Sequence, residues 1–121
     1  MNNSMYNTYR QNSIMTASSK ELVLMLYDGG IRYCNLAIEA FEKKDIYMQH
    51  TYILKAQDVI TELKLALNKE IPISADFEEK YNYMNELLIK GNISKEVEYV
   101  KIAKYMFSEF RSIWKEAMKK A

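Results

Sequence analysis

Pro72 is the only proline in this 121-residue chain, and glycine occurs just three times, at positions 29, 30 and 91. An all-β protein needs frequent turns, and turns are built largely from these two residue types. A chain so poor in both is expected to form long, rarely interrupted segments, and the start and stop signals below make those segments helices. Hydrophobic residues are 49% of the sequence and charged ones 27%, which is a globular balance and not a disordered one. A single domain of this size buries roughly two thirds of the surface its unfolded chain exposes.

Ser18-Ser19-Lys20-Glu21 has the spacing of a capping box. There the Ser18 hydroxyl accepts from the Glu21 N–H, and the Glu21 carboxylate accepts from the Ser18 N–H. The spacing predicts a first helix from there to about Lys44. Asp45 is the expected N-cap of a second helix that runs to about Lys69. Two helices so closely joined must lie antiparallel. Ile71 to Ala75 forms the connector, because Pro72 cannot sit inside a helix. Asp76-Phe77-Glu78-Glu79 repeats the capping-box spacing and opens a third, shorter helix that stops at Gly91-Asn92. Ser94 is the expected cap of a fourth helix, which continues to Lys119-Lys120. The predicted fold is all-α: an antiparallel, up-down-up-down four-helix bundle over residues 18–121, with an extended N-terminal arm at 1–17. That arm is rich in Asn and Ser, carries one charged side chain (Arg10), and is expected to be flexible or laid along the surface.

Composition narrows the function. Seventeen Lys and Arg face sixteen Asp and Glu, and this balance argues against nucleic acid or anionic lipid as a partner. A lone cysteine, Cys34, excludes an internal disulfide framework and a multi-Cys zinc site. No apolar run is long enough to span a membrane, and the N-terminus lacks a signal-peptide pattern, so the expected compartment is the cytoplasm. His50 is the only histidine. A pairing with Cys34 is unpromising, because Cys34 falls on an apolar stripe where thiols are usually inert. A di-metal bundle site would want Glu three residues before the histidine, and Tyr47 stands there. Four-helix phosphotransfer domains follow their histidine closely with Lys-Gly, where this chain has Ile53-Leu54. Neither an enzyme nor a bound cofactor is expected. A helical signalling or regulatory docking module, with phosphotransfer through His50 as its least supported form, is the alternative reading.

Ten tyrosines and eight methionines are many for so short a chain. The second helix has one main stripe, Tyr52, Ala56, Val59, Leu63 and Ala66, with Leu54 and Leu65 outside it. The first helix has two stripes. Leu24, Tyr27, Ile31, Cys34, Ile38 and Phe41 form one, and Leu22, Leu26, Gly29, Tyr33, Ala37 and Ala40 form a second, placed on the opposite side. Polar residues keep only roughly a third of its circumference. In the fourth helix Val97, Val100, Phe107, Phe110, Trp114 and Ala117 make the core stripe, while Tyr99, Ile102, Met106 and Ile113 lie to one side. One reading has the core and the folded-back arm absorb all this. The other reserves part of it as a groove for a partner's amphipathic or extended segment, which Met and Tyr suit. Gly29-Gly30 costs the helix roughly 1 kcal/mol per glycine relative to alanine, so close approach of a neighbouring helix or a bound peptide is the expected compensation.

Several motifs then stand in a telling order: Tyr6-x-x-Tyr9-x-x-Asn12, Thr16-Ala17-Ser18, and Leu22-x-x-Met25-Leu26-Tyr27-Asp28-Gly29-Gly30-Ile31-Arg32. They continue through Lys55-Ala56-Gln57-Asp58-Val59-Ile60, Glu62-Leu63, Tyr81-Asn82-Tyr83-Met84 and Arg111-x-x-Trp114-x-x-Ala117. Over nearly its whole length the chain resembles the flagellar secretion chaperone family, FliS. It departs from that pattern at Ser19, where proline is frequent, at Glu86-Leu87, where two arginines are common, and at Gly91, where alanine is common.

The resemblance implies a cytoplasmic bundle that binds the disordered C-terminal segment of flagellin, blocks premature polymerisation and presents the subunit to a component of the flagellar export gate. It also implies that the arm covers part of the same surface, which makes Tyr6 and Tyr9 a displaceable plug. The contact residues expected are Tyr6 and Tyr9 in the arm, and Leu24, Tyr27 and Ile31 on the first helix. Leu54 and Leu65 on the second helix, with Tyr83 and Tyr99 further on, complete the set. The free protein is expected to be a monomer or a homodimer.

Overall fold

Residues 20–120 are described by the structure, a computed structural model. The Ser18 cap and the arm with Tyr6 and Tyr9 fall outside the described residues. Four helices follow one another: α1 (Lys20–Glu42), α2 (Ile46–Ala66), α3 (Ser74–Ser94) and α4 (Val97–Lys120). α1 packs on α2 and α4, and α3 packs on the same two. Each helix therefore lies beside its predecessor and successor, which is the antiparallel up-down-up-down ring that the short connections require.

The α1–α2 corner is built entirely from local chemistry. Lys44 adopts the left-handed conformation, at φ 59°. Its N–H bonds to the Phe41 carbonyl at 3.1 Å, and the Asp45 N–H reaches back to Ala40 O at 2.9 Å. This pair of bonds satisfies the carbonyls that a helix end leaves open, normally with glycine at the left-handed position. Asp45 then caps α2 directly, its carboxylate accepting from the Met48 N–H at 3.1 Å.

α3 departs from expectation at both ends. It starts at Ser74 with no side-chain cap, so Asp76 lies inside the first turn and its capping box does not form. The Ala75 and Asp76 amides bond back to Pro72 and Ile73, so the chain winds from the Pro72 turn straight into helix. At its far end α3 passes through Gly91 and reaches Ser94, whose hydroxyl donates to Lys90 O instead of capping α4. Gly91 has no positive φ; a Cβ there would stand 3.0 Å from Val100 Cγ2 and 3.4 Å from Tyr99 Cβ. Its bareness lets α4 approach, and Lys95, at φ 57°, reverses the chain instead. With 21 residues α3 equals α2 and is not the shorter helix that the Gly91 stop implied.

Inside, Tyr27, Ile53, Ile60, Leu63, Tyr81, Met84, Leu88, Val100 and Phe107 are all essentially without solvent exposure. Tyr27, Phe77, Tyr81 and Phe110 form one aromatic cluster, with ring centroids 5.2 to 6.3 Å apart. At Gly30 the Phe107 ring lies so close that a Cβ would stand 2.3 Å from it. The close approach expected at the glycine pair is thus made here by an aromatic side chain.

Candidate functional site

On α1 the buried line is Val23, Tyr27, Gly30, Cys34 and Ala37. The two apolar stripes read from the sequence are therefore not opposite faces. They are the shoulders of one broad sector centred between them, because helices pack on both sides of α1. Leu24, Asp28 and Ile31 share the shoulder toward α4, where Asp28 pairs with Arg111 and Lys20 O accepts from Trp114 Nε1 at 3.0 Å. Leu26, Gly29 and Tyr33 share the shoulder toward α2, where Tyr33 stacks on Tyr52 at 6.5 Å.

The expected contact residues separate on this frame. Tyr27 is a core residue, 1% exposed, and its hydroxyl lies 2.6 Å from that of buried Tyr81. It offers no side-chain surface to a partner, and its place among the contact residues is corrected. Ile31 and Tyr99 are half-buried and packed against the core, and Leu24 is half-buried. Leu54, Leu65 and Tyr83 are exposed, Leu65 the most at 72%. Leu54 lies on the side of α2 that is tied to α3 by Gln57–Asn85 (3.0 Å) and His50–Asn92 (2.8 Å). Tyr83 sits on the outer face of α3, in a shallow concavity of about 420 Å³ shared with Glu79, Asn82 and Glu86. These residues do not converge on one groove.

A more continuous apolar groove lies between α3 and α4, near the α3 N-terminus. Ile73, Phe77, Met106, Phe110 and Ile113 line about 390 Å³ of it, with Asp76, Lys80 and Glu109 at its rim. Met106 and Ile113 carried a signal in the sequence, as off-stripe residues of the fourth helix. Ile73 carried none, because its exposure depends on how the Pro72 turn enters α3.

The chemistry of reactive groups is subdued. Burial pushes the Cys34 thiol up to about 12, with nearby Lys104 opposing weakly, so the thiolate that reactivity needs is scarce near neutral pH. His50 is exposed, and its Nδ1 meets Asn92 Nδ2, which places the lone pair at Nδ1 when the amide donates. Among the described residues no group of three His, Cys, Asp or Glu side chains is placed to hold a metal ion, and no helix is long and apolar enough to cross a membrane.

The described helices form an antiparallel bundle with an apolar groove between α3 and α4, a surface of the kind that protein-docking bundles present to a partner. The family is more specific. The model of the family described as flagellar protein FliS matches residues 1–121. A Bacillus subtilis (strain 168) protein named flagellar secretion chaperone FliS is 36% identical over 113 residues, covering 93% of this chain and 85% of that protein. A Salmonella typhimurium protein of the same name is 26% identical over 92% of this chain and 84% of its own length. One from Campylobacter jejuni is 33% identical over 57% of this chain and 54% of its own length. The chain belongs to the FliS family of flagellar secretion chaperones.

Proposed function

We propose that this flagellar export chaperone binds the C-terminal segment of flagellin, holds it against premature polymerisation in the cytoplasm, and delivers it to a component of the flagellar export gate. The observation that carries this reading is the apolar groove between α3 and α4, with Ile73 and Ile113 more than half exposed beside it. Apolar area of this kind is a liability unless a partner covers it. A disordered segment suits it well, because it can lay out successive anchors along grooves that do not converge and order as it binds. Leu24, Ile31, Leu54, Leu65, Tyr83 and Tyr99 remain the proposed contacts, joined now by Phe77 and Met106. Residues 1–17 act as an arm whose Tyr6 and Tyr9 shield part of this surface until the client displaces them. Binding, not catalysis, is the proposed activity, and the free chaperone is a monomer or a homodimer.

Calorimetry with purified chaperone and the flagellin C-terminal segment tests the reading. Saturable binding at equal stoichiometry is the expected result, weakened by Met106→Asp and Ile113→Asp. Absence of any association under conditions where both proteins are intact would sink it.

A further inference from the structure

Two glycines follow one another in α1, and internal packing explains only one of them. A Cβ at Gly30 would strike the Phe107 ring at 2.3 Å. A Cβ at Gly29 would meet Val59 Cγ2 at 3.8 Å, an ordinary contact, and, beyond its chain neighbours and the adjoining backbone of α1, no other described atom within 4 Å. Neither glycine has a positive φ, so alanine at position 29 would fit both the space and the backbone. Glycine in mid-helix is less stable than alanine because it loses more backbone freedom on folding. Gly29 thus carries a stability loss that the described bundle does not require.

Its surroundings show where the bare backbone opens. Leu26 and Tyr33 stand one turn to either side of it, and Val59 and Tyr52 lie across on α2. Met25, one turn before Gly29 on the outer edge, is 66% exposed. The missing side chain leaves a notch in the apolar seam between α1 and α2. Two cations border the same stretch. Lys55 Nζ lies 5.8 Å over the Tyr33 ring, and Arg32, three residues after Gly29, is exposed. Neither has a carboxylate partner among the described residues.

We propose that Gly29 is a docking notch through which an apolar helical segment of the client approaches the α1 backbone, with an acidic side chain of that segment set toward Arg32 and Lys55. The proposal rests on the client-binding reading above and adds to it a second seat, on the α1–α2 side of the bundle. The missing Cβ favours a closely packed helix over a loosely held chain, since only close approach uses the absent methyl. The unpaired cations select an acidic flank on the segment, because opposite charge at a partly covered seam orients a partner and speeds its encounter.

The test uses the full-length chain in four forms: wild type, Gly29→Ala, Gly29→Leu and the double variant Arg32→Glu/Lys55→Glu. Each is measured by thermal unfolding and by calorimetry against the C-terminal segment of flagellin from the same organism. Gly29→Ala should raise Tm by about 3–5 °C, the helix-propensity gain for a chain of this size. The same substitution should weaken Kd about tenfold, and Gly29→Leu about a hundredfold, as overpacking of a filled notch demands. The charge reversal should weaken Kd about tenfold with Tm unchanged, an effect that fades as salt rises. Wild-type protein that fails to bind the segment overturns the chaperone reading, and the notch's occupant with it. Wild type that binds, with both Gly29 variants binding equally well, overturns the notch alone. A Tm that falls on Gly29→Ala would mean the chain's own residues fill the notch. Loss of self-association in sedimentation, with client affinity kept, would assign the notch to a second copy. Either of these last two results overturns the proposal.

Discussion

The Tyr27 hydroxyl of α1 and the Tyr81 hydroxyl of α3 meet at 2.6 Å across the diagonal of the bundle. Both rings are essentially inaccessible to solvent. The two hydroxyls own two hydrogens, and their mutual bond uses one. The pair is an internal polar link between two helices that otherwise face each other only through the core.

Removing one hydroxyl strands the other. Tyr27→Phe and Tyr81→Phe should each lower stability by about 1–3 kcal/mol, the usual penalty for a buried polar group without its partner. The double phenylalanine variant should lose much less than the sum of the two, because no buried hydroxyl is left. Urea unfolding of all four proteins closes the cycle. Additive losses would show that the two groups do not interact.

The same pair predicts alkaline sensitivity. Burial, opposed by the bond to Tyr81, holds the Tyr27 hydroxyl up at about 12 against an ordinary 10.0, and burial pushes Tyr81 in the same direction. The folded state keeps protons that the unfolded chain releases, so this contribution is whole below pH 10 and is lost as pH rises through the folded values. Cys34 acts with the same sign from about pH 9, its ordinary value being 9.0. Stability should therefore begin to fall near pH 9 and fall more steeply above 10, by up to about 1.4 kcal/mol per pH unit for each titrating group. Denaturant midpoints between pH 7 and 11.5 measure this. The double phenylalanine variant should keep only the shallower, Cys34-dependent decline.

Gly30 should tolerate nothing larger. Gly30→Ala puts a methyl within 2.6 Å of three Phe107 ring atoms, and that ring is fully buried. A loss of about 1–3 kcal/mol is expected from overpacking. Adding Phe107→Leu should return part of it by vacating the space, so the double variant should be more stable than the sum of the single losses. Chemical unfolding of the three variants checks the compensation.

The two corner lysines are expected to gain from replacement. Lys44 and Lys95 hold left-handed backbone at φ 59° and 57°, where an L side chain is strained. Lys44→Gly and Lys95→Gly should each stabilise the bundle by about 0.5–1 kcal/mol, the relief of strain exceeding the extra freedom glycine adds to the unfolded chain. Asp45→Ala should cost about 1 kcal/mol through loss of the bond to the Met48 N–H. A rise in thermal midpoint for the first two and a fall for the third would together confirm how the α1–α2 and α3–α4 corners are made.

The sequence was legible where the responsible interactions are local. Asp45 caps a helix through an amide three residues away, and the Pro72 ring keeps its own stretch of chain out of helix. The α1–α2 corner and the presence of a central connector could therefore both be anticipated, although α2 ends at Ala66, short of the expected Lys69. Gly91 misled for the opposite reason. A glycine before asparagine has the look of a helix end, whereas this one serves the approach of Val100 on the next helix. Once α3 ran on to Ser94, the cap expected of that serine could not form.

The order and number of the helices, their antiparallel course and the membership of the FliS family were all carried by the sequence alone, because capping, propensity and motif spacing act between neighbours in the chain. Which part of each apolar surface is inside was decided only by the tertiary structure. α1 is apolar around most of its circumference, and its periodicity could not rank Tyr27 against Leu24 or Gly29 against Gly30. α3 and α4 made that ranking. Tyr81 drew Tyr27 into the core, Phe107 claimed the space at Gly30, and Gly29 was left with no more than an ordinary approach to Val59 of α2 among the described residues. Burial is a property of what a side chain meets across the fold, and that meeting is set by distant segments.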